Sequence, residues 1–356
     1  MSVQPKIYIA GMGMITSIGG NALTTAVAMR ARRKGMRILD EYKNRACKPI
    51  TMATVPDAAL PEFTGELETS EDIDIPIGRM LLMASVALEE TMAFYPGKQP
   101  LPLILAGPTA YAGQEVPFSH AFIDQLTVQT EIEFDRANSR LIATGRSGVL
   151  AGIDIAMKYL NLGTDDYVLV GGVDSYQDHD LLLQLDEQGR IKTEDALDGF
   201  IPGEAAGFLL LTNKLELAQN FGKFKVSLSA PGLANEPGHL YSDETYTGSG
   251  LADAMRLAIS HGDGQAIQTV YSGMNGENFW AKEYGVAMLR NKDALAEIVS
   301  HEHPVDCFGD IGAAMGAVLI GVAGISMARS GKPQHGLVYC SSDQAQRAAL
   351  CISLVA

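Results

Sequence analysis

The segment IATGRSGVLAGIDIAMKYLNLGTDDYVLVGG, residues 142–172, constrains the fold more than any other part of the chain. It reads as a short strand, a tight glycine turn, a helix spaced by alanine and glycine, and a buried strand closing on Gly171 and Gly172. Such an elbow holds one side chain at a helix N-terminus, where the backbone dipole favours negative charge. The residue held there is Arg146. An arginine cannot act as a nucleophile, so any function must be argued around that side chain.

The rest of the chain alternates strands and helices, which indicates α/β architecture with parallel sheet. Strands are predicted at 6–12, 101–107, 141–143, 167–171, 208–211, 225–228, 266–271, 337–340 and 348–354. Helices are predicted at 21–31, 77–94, 118–128, 149–160, 250–260, 280–289 and 311–328. Residues 56–77 are acidic and proline-containing, and read as a surface loop. A boundary near residue 220 divides the chain into halves, 1–220 and 221–356, between which no sequence repeat is visible.

With 356 residues there is ample chain for a large core. No run of about 18 uninterrupted apolar residues is present, so no membrane span is expected. No signal-peptide pattern opens the chain, and a cytoplasmic location is expected. The four cysteines lack metal-site spacing, so neither a disulfide framework nor a bound metal or cofactor is expected. The 27 basic against 42 acidic side chains give a net charge of −15, which disfavours nucleic acid and anionic membranes as partners. Arg30, Arg32, Arg33, Lys34 and Arg37 nevertheless cluster after the first helix, followed by Lys43, Arg45 and Lys48. They are either a solvated helix end or a docking patch for an acidic partner.

Three motifs carry a resemblance. The elbow, the block DGFIPGEAAGFLLL at 198–211 and the segment FGDIGAAMGA at 308–317 resemble those of β-ketoacyl synthases, the thiolase-fold condensing enzymes. The resemblance implies a thiolase fold of two similar βαβαβαββ halves in five αβαβα layers. It also implies a homodimer formed through the strand at 138–143, and docking of acyl carrier proteins on basic patches. Gly203 and Gly207 are expected to allow close backbone approach, with Glu204 between them as a structural anchor.

The residues of the family's chemistry are absent at the matching positions. Arg146 falls where the family carries its cysteine. The first family histidine is matched by YSGMNGENFWAKE at 271–283, and the second by Asp310. The glycine-rich C-terminal turn is matched only by YCSSDQAQ. A semi-buried arginine must be paired, or it costs several kcal/mol. Arg146 is therefore expected to be neutralised by Asp310, Glu277 or Glu283, in a plug that includes Asn275.

Two function classes follow. The first is a catalytically degenerate protein acting by binding, as a partner subunit or adaptor, as chain-length factors are for polyketide synthases. The pattern NGE…W…E at 275–283 also resembles degenerate condensing-enzyme homologues found near type VI secretion effectors. The second is altered chemistry: an acyl-thioester transferase or hydrolase using Ser147 or the carboxylates Glu277 and Glu283, or a 3-oxoacyl synthase using Cys307 as a displaced nucleophile.

Overall fold

The computed structural model describes residues 6–65, 67, 73–111, 118–163, 165–332 and 334–356. In chain order the first half contains β1 (Ile7–Thr16), α1 (Ala22–Arg30), β2 (Arg37–Lys43), β3 (Pro49–Met52), α2 (Ile75–Met92), β4 (Leu103–Ala106), α3 (His120–Thr130) and β5 (Arg140–Ile142). It continues with α4 (Gly148–Leu162), β6 (Val168–Ser175), α5 (His179–Glu187) and β7 (Glu204–Thr212). The second half contains β8 (Lys225–Leu228), β9 (Gly232–Asn235), α6 (Ser249–His261), β10 (Ile267–Ser272), α7 (Asn278–Arg290) and β11 (Leu295–Glu302). It closes with α8 (Val305–Phe308), α9 (Met315–Arg329), β12 (His335–Ser341) and β13 (Gln346–Val355).

The strands form one path, β11-β10-β12-β13-β8-β1-β7-β6-β4-β5, with β9 added on β13. The two ends of that path have the same construction. In the first half β5, β4 and β6 run parallel, and β7 and β1 follow antiparallel. In the second half β11, β10 and β12 run parallel, and β13 and β8 follow antiparallel. The repeat that is invisible in the sequence is plain in the topology.

The alternation of side chains along the strands builds five layers. On one face of the first half, Leu209 and Leu211 of β7 pack with Val149, Leu150 and Ile153 of α4 and with Val318 and Val322 of α9. Val338, Leu350 and Ile352 of the second half close the same core from the other side. The opposite face of the first half, including Phe208, Leu210 and Leu105, is covered by α2 and α3. The opposite face of the second half, including Leu337 and Ala349, is covered by α6 and α7. The order is therefore helix, sheet, helix pair, sheet, helix. Residues 312–329 are apolar enough for a membrane span, but 78% of that helix is buried inside the protein, as its central position requires.

Several local expectations are corrected. Residues 37–43 are a strand rather than a helix end, paired with β3 in a separate two-stranded sheet. The helix at 75–92 begins inside the segment read as a loop, and part of that segment lies outside the described residues. The elements α5, α8, β9 and β11 were not anticipated. Of these, β11 is an edge strand whose side chains are mostly exposed, so it lacks the apolar signature of an interior strand. His301 belongs to it, and His261 ends α6; neither lies in a loop.

Candidate functional site

Two elbows meet at the centre of the molecule. After β5 the chain turns at Gly145, with φ 62°, into a short 3-10 turn (Gly145–Ser147) and then α4. The second half repeats this at Gly312, with φ 50°, through a 3-10 turn (Gly312–Ala314) into α9. Both are left-handed positions that glycine adopts without steric cost. The two turns pack on each other, so the positive ends of two helix dipoles converge on Arg146. That is the worst place in the fold for a cation and the best for an anion.

Arg146 is buried, and carboxylates surround it. Nη1 donates to Asp310 Oδ2 at 2.5 Å, Nη2 donates to Asp343 Oδ1, and Nε donates to the Ser341 carbonyl at 2.8 Å. Asp343 also takes Arg190, whose Nη1 donates to Oδ2 at 2.7 Å. Arg190 in turn clamps Glu277 with two bonds of 2.8 Å, from Nε and Nη2. The Asn275 amide donates to both Glu277 and Asp310 at 2.9 Å, closing the ring. The Trp280 indole N–H donates to Glu277 at 3.0 Å, and its ring centroid lies 4.9 Å from the Arg146 guanidinium carbon.

The expected partner Asp310 is therefore in contact with Arg146, whereas Glu277 and Glu283 are not. Glu277 serves Arg190, and Glu283 accepts from Arg347 Nε at 2.6 Å and from the Ser341 hydroxyl at 2.5 Å. Glu277 and Glu283 thus form no catalytic pair, since each is saturated by its own arginine. Asp343, Arg190 and Arg347 were missed. Asp343 lies in the turn between β12 and β13, the segment that replaces the family's glycine-rich loop. The signal available there was an acid in an otherwise uncharged turn.

The electrostatics follow from burial and charge count. Burial alone would push the Asp343 carboxyl up, but the Arg146 and Arg190 guanidiniums outweigh it and hold it well below the usual carboxylate range. Asp174, at the end of β6, is different. Its Oδ2 accepts the Ala313 N–H at 2.8 Å and its Oδ1 accepts the Ser175 N–H at 3.0 Å, and it forms no ion pair among the described residues. Burial pushes its pKa up to about 7, against the pull of those N–H groups and with the Asp310 charge adding to the rise. Asp174 and Asp310 both accept N–H groups from the 3-10 turn that leads into α9.

The alternative nucleophiles are poorly placed. Ser147 donates to Ser342 Oγ at 2.7 Å, and Ser342 Oγ donates to the Thr144 carbonyl at 2.5 Å, with no histidine or carboxylate in that chain. The Cys307 thiol is buried in α8, directed at the Met29 carbonyl, and burial raises its pKa. A low-pKa thiolate needs the opposite environment.

Beside the plug lies a cavity of 460 Å³, lined by Arg146, Asp174, Tyr111 and Tyr176 and by the apolar side chains Ile77 and Met80. Behind the lining residues Ser175 and Gln177 lies the anchor carboxylate Glu204, which is fully buried. Arg79 donates to it from Nε at 2.9 Å and from Nη2 at 2.6 Å, and the Ser175 hydroxyl, Gln177 amide and Val55 N–H complete its shell. Gly203 beside it admits the Phe308 carbonyl, which would lie 2.6 Å from any Cβ, and Gly207 packs on Ala317 and Val318 of α9. Away from this site, Arg30, Arg33 and Lys34 are exposed. Arg32 reaches Glu302 at 3.5 Å, and Arg37 donates to Thr54 at 2.7 Å.

Comparison with known proteins agrees with this construction. The sequence profile described as "Beta-ketoacyl synthase, N-terminal domain" matches residues 136–216, which span the first elbow and Glu204. No curated protein sequence matches the chain. The ketosynthase from module 6 of the bacillaene synthase of Bacillus subtilis 168 superposes with a TM-score of 0.76 at 16% identity, covering 98% of this chain and 72% of that one. The ishigamide ketosynthase/chain length factor gives 0.78 at 15%, covering 99% and 100%. A ketosynthase in complex with its chain length factor from Xenorhabdus doucetiae gives 0.74 at 15%, covering 99% and 98%. Residues 136–216 therefore resemble the N-terminal domain of β-ketoacyl synthases, and the chain as a whole has the fold of these ketosynthase structures.

Proposed function

We propose that the protein is catalytically silent in condensation and works by binding another protein, as a partner subunit of an active ketosynthase-like chain. One observation carries the reading: Arg146 occupies the elbow and is locked to Asp310 and Asp343, so the elbow itself presents no nucleophile to the cavity. The likeness to structures described as ketosynthase/chain length factor assemblies supports a partner role. The outer edge of β5, at the end of the strand path and without a strand partner among the described residues, offers the surface for pairing with a second chain, whether a copy of this one or a homologue.

Co-expression with ketosynthases encoded in the same genome, followed by co-purification and mass measurement, tests this. Recovery of a one-to-one complex whose acyl-transfer activity depends on this chain is the expected result. Malonyl- or acyl-thioester turnover by the purified chain alone would overturn the reading.

A further inference from the structure

We propose that the cleft where the C-terminal ends of α1 and α9 meet β10 and β11 binds a small phosphorylated ligand. Its volume is 280 Å³, enough for a phosphoryl group on a small carrier. Three arginines line it: Arg30 and Arg32 from the end of α1, and Arg329 from the end of α9. In a chain with a net charge of −15, Arg30 and Arg329 have no carboxylate partner among the described residues. The single acid in the cleft, Glu302, reaches Arg32 at 3.5 Å and accepts from the Ser300 hydroxyl at 3.3 Å.

Two helix C-termini bring about half a negative charge each. Together with Glu302 they do not cancel three guanidiniums, so the cleft keeps an excess of positive charge.

The wall opposite the arginines is built of hydroxyls. Thr269 and Tyr271 alternate on one face of β10, and their cross-strand neighbours on β11 are Ser300 and Glu302. Tyr271 is 3% exposed, and its hydroxyl has no hydrogen-bond partner among the described residues. The hydroxyls of Thr269 and Ser326, which line the same cleft, are likewise unpartnered. These hydroxyls line the cleft without a partner of their own, and beside three guanidiniums they are free to donate to a group with many acceptor oxygens. A phosphoryl group supplies three, in the geometry that arginine forks match.

The backbone adds a further sign. Arg33 N–H bonds the Ala28 carbonyl and Arg32 N–H bonds the Met29 carbonyl, a Schellman ending with Arg32 at the left-handed position, φ 54°. Glycine normally stands there; here the chain holds an arginine beside the cleft instead. This site is remote from the Arg146 plug and independent of the partner reading.

Calorimetric titration of the full chain with inorganic phosphate and with pyrophosphate, backed by ³¹P line broadening, tests it. Saturable binding is expected for at least one of the two. Arg329→Gln and Arg32→Gly should each weaken it about tenfold or more, the loss of one charge-assisted fork, and glycine keeps the helix ending intact. Tyr271→Phe, which changes no charge, should weaken it severalfold. Absence of saturable binding to both anions overturns the proposal. So does binding that Tyr271→Phe leaves unchanged, which would mark diffuse attraction to a basic surface. Displacement of pyrophosphate by an acidic polypeptide at lower concentration would also overturn it, in favour of a protein-docking surface.

Discussion

The Arg146 guanidinium lies 4.9 Å from the centroid of the Trp280 ring, and the Arg347 guanidinium lies 5.4 Å from the same centroid. One aromatic ring thus joins two buried arginines whose carboxylates come from different elements. Arg146 takes Asp310 and Asp343, and Arg347 takes Glu283. Arg146 and Arg190 supply two positive charges against three negative ones, on Asp310, Asp343 and Glu277, and the two helix N-termini make up the difference.

Asp343 is the member both arginines share, so its removal strands two cations. Asp343→Asn should cost about 3–5 kcal/mol, the range for removing one partner of a buried ion pair. Urea denaturation measures it. The coupling between Arg146→Met and Asp343→Asn should be about 1–3 kcal/mol; additive losses would show that the two side chains do not act as a pair.

Restoring a thiol does not restore the family's chemistry. Arg146→Cys should form no acyl adduct when incubated with acyl-CoA and read by mass spectrometry. Asp310 and Asp343 would then face the thiol without their cation, and neighbouring negative charge raises a thiol pKa. An adduct mapped to position 146 would show that the plug, rather than the missing histidines, is the sole block.

Asp174 sets a pH dependence of opposite sign to that of Asp343. The folded pKa of Asp174, about 7, lies above the unfolded value of about 4. Its protonated form stabilises the fold below the unfolded pKa, and that contribution is lost as pH rises through about 7. Asp174→Asn should therefore gain stability relative to the native chain between pH 5 and pH 8. The gain should be on the order of 2 kcal/mol, since one pKa unit is about 1.4 kcal/mol. A difference in melting stability that does not change with pH would refute it. The depressed Asp343 contributes stability above its unfolded pKa, lost only as pH falls below about 4.

A structural role for Glu204 makes a stability prediction. Glu204→Gln and Arg79→Ala should each destabilise by about 3 kcal/mol or more, because Arg79→Ala leaves Glu204 buried without a cation and Glu204→Gln leaves Arg79 only the exposed Asp57 carboxylate. The double variant should cost less than the sum of the two. Thermal denaturation of the three variants checks this.

The parts of this fold that were readable from sequence are those written in local pattern. The glycines of the elbow, the apolar spacing of residues 149–160 and the run at 208–211 each report on one element and its faces. The charged residues that organise the interior were harder to read. Arg146 and Asp343 are 197 residues apart, Arg79 and Glu204 125, and Arg190 and Glu277 87. Periodicity tells which face of a helix or strand is buried, but not which distant turns converge. Arg190 follows a helix C-terminus and Asp343 lies in a hairpin turn, and both positions normally carry solvated charge. Asp310 was within reach because its glycine neighbours mark the second elbow.

The doubled elbow has a consequence for the history open to this sequence. Two helix N-termini make an anion trap, and a cation from the first half sits in it held by two acids from the second half. A change at position 146 back to a neutral side chain now strands those acids; a change at any acid strands the arginine. Each single step away from the present state is uphill, so the arrangement behaves as an evolutionary ratchet. Selection can remodel its outer surface freely while the centre stays fixed.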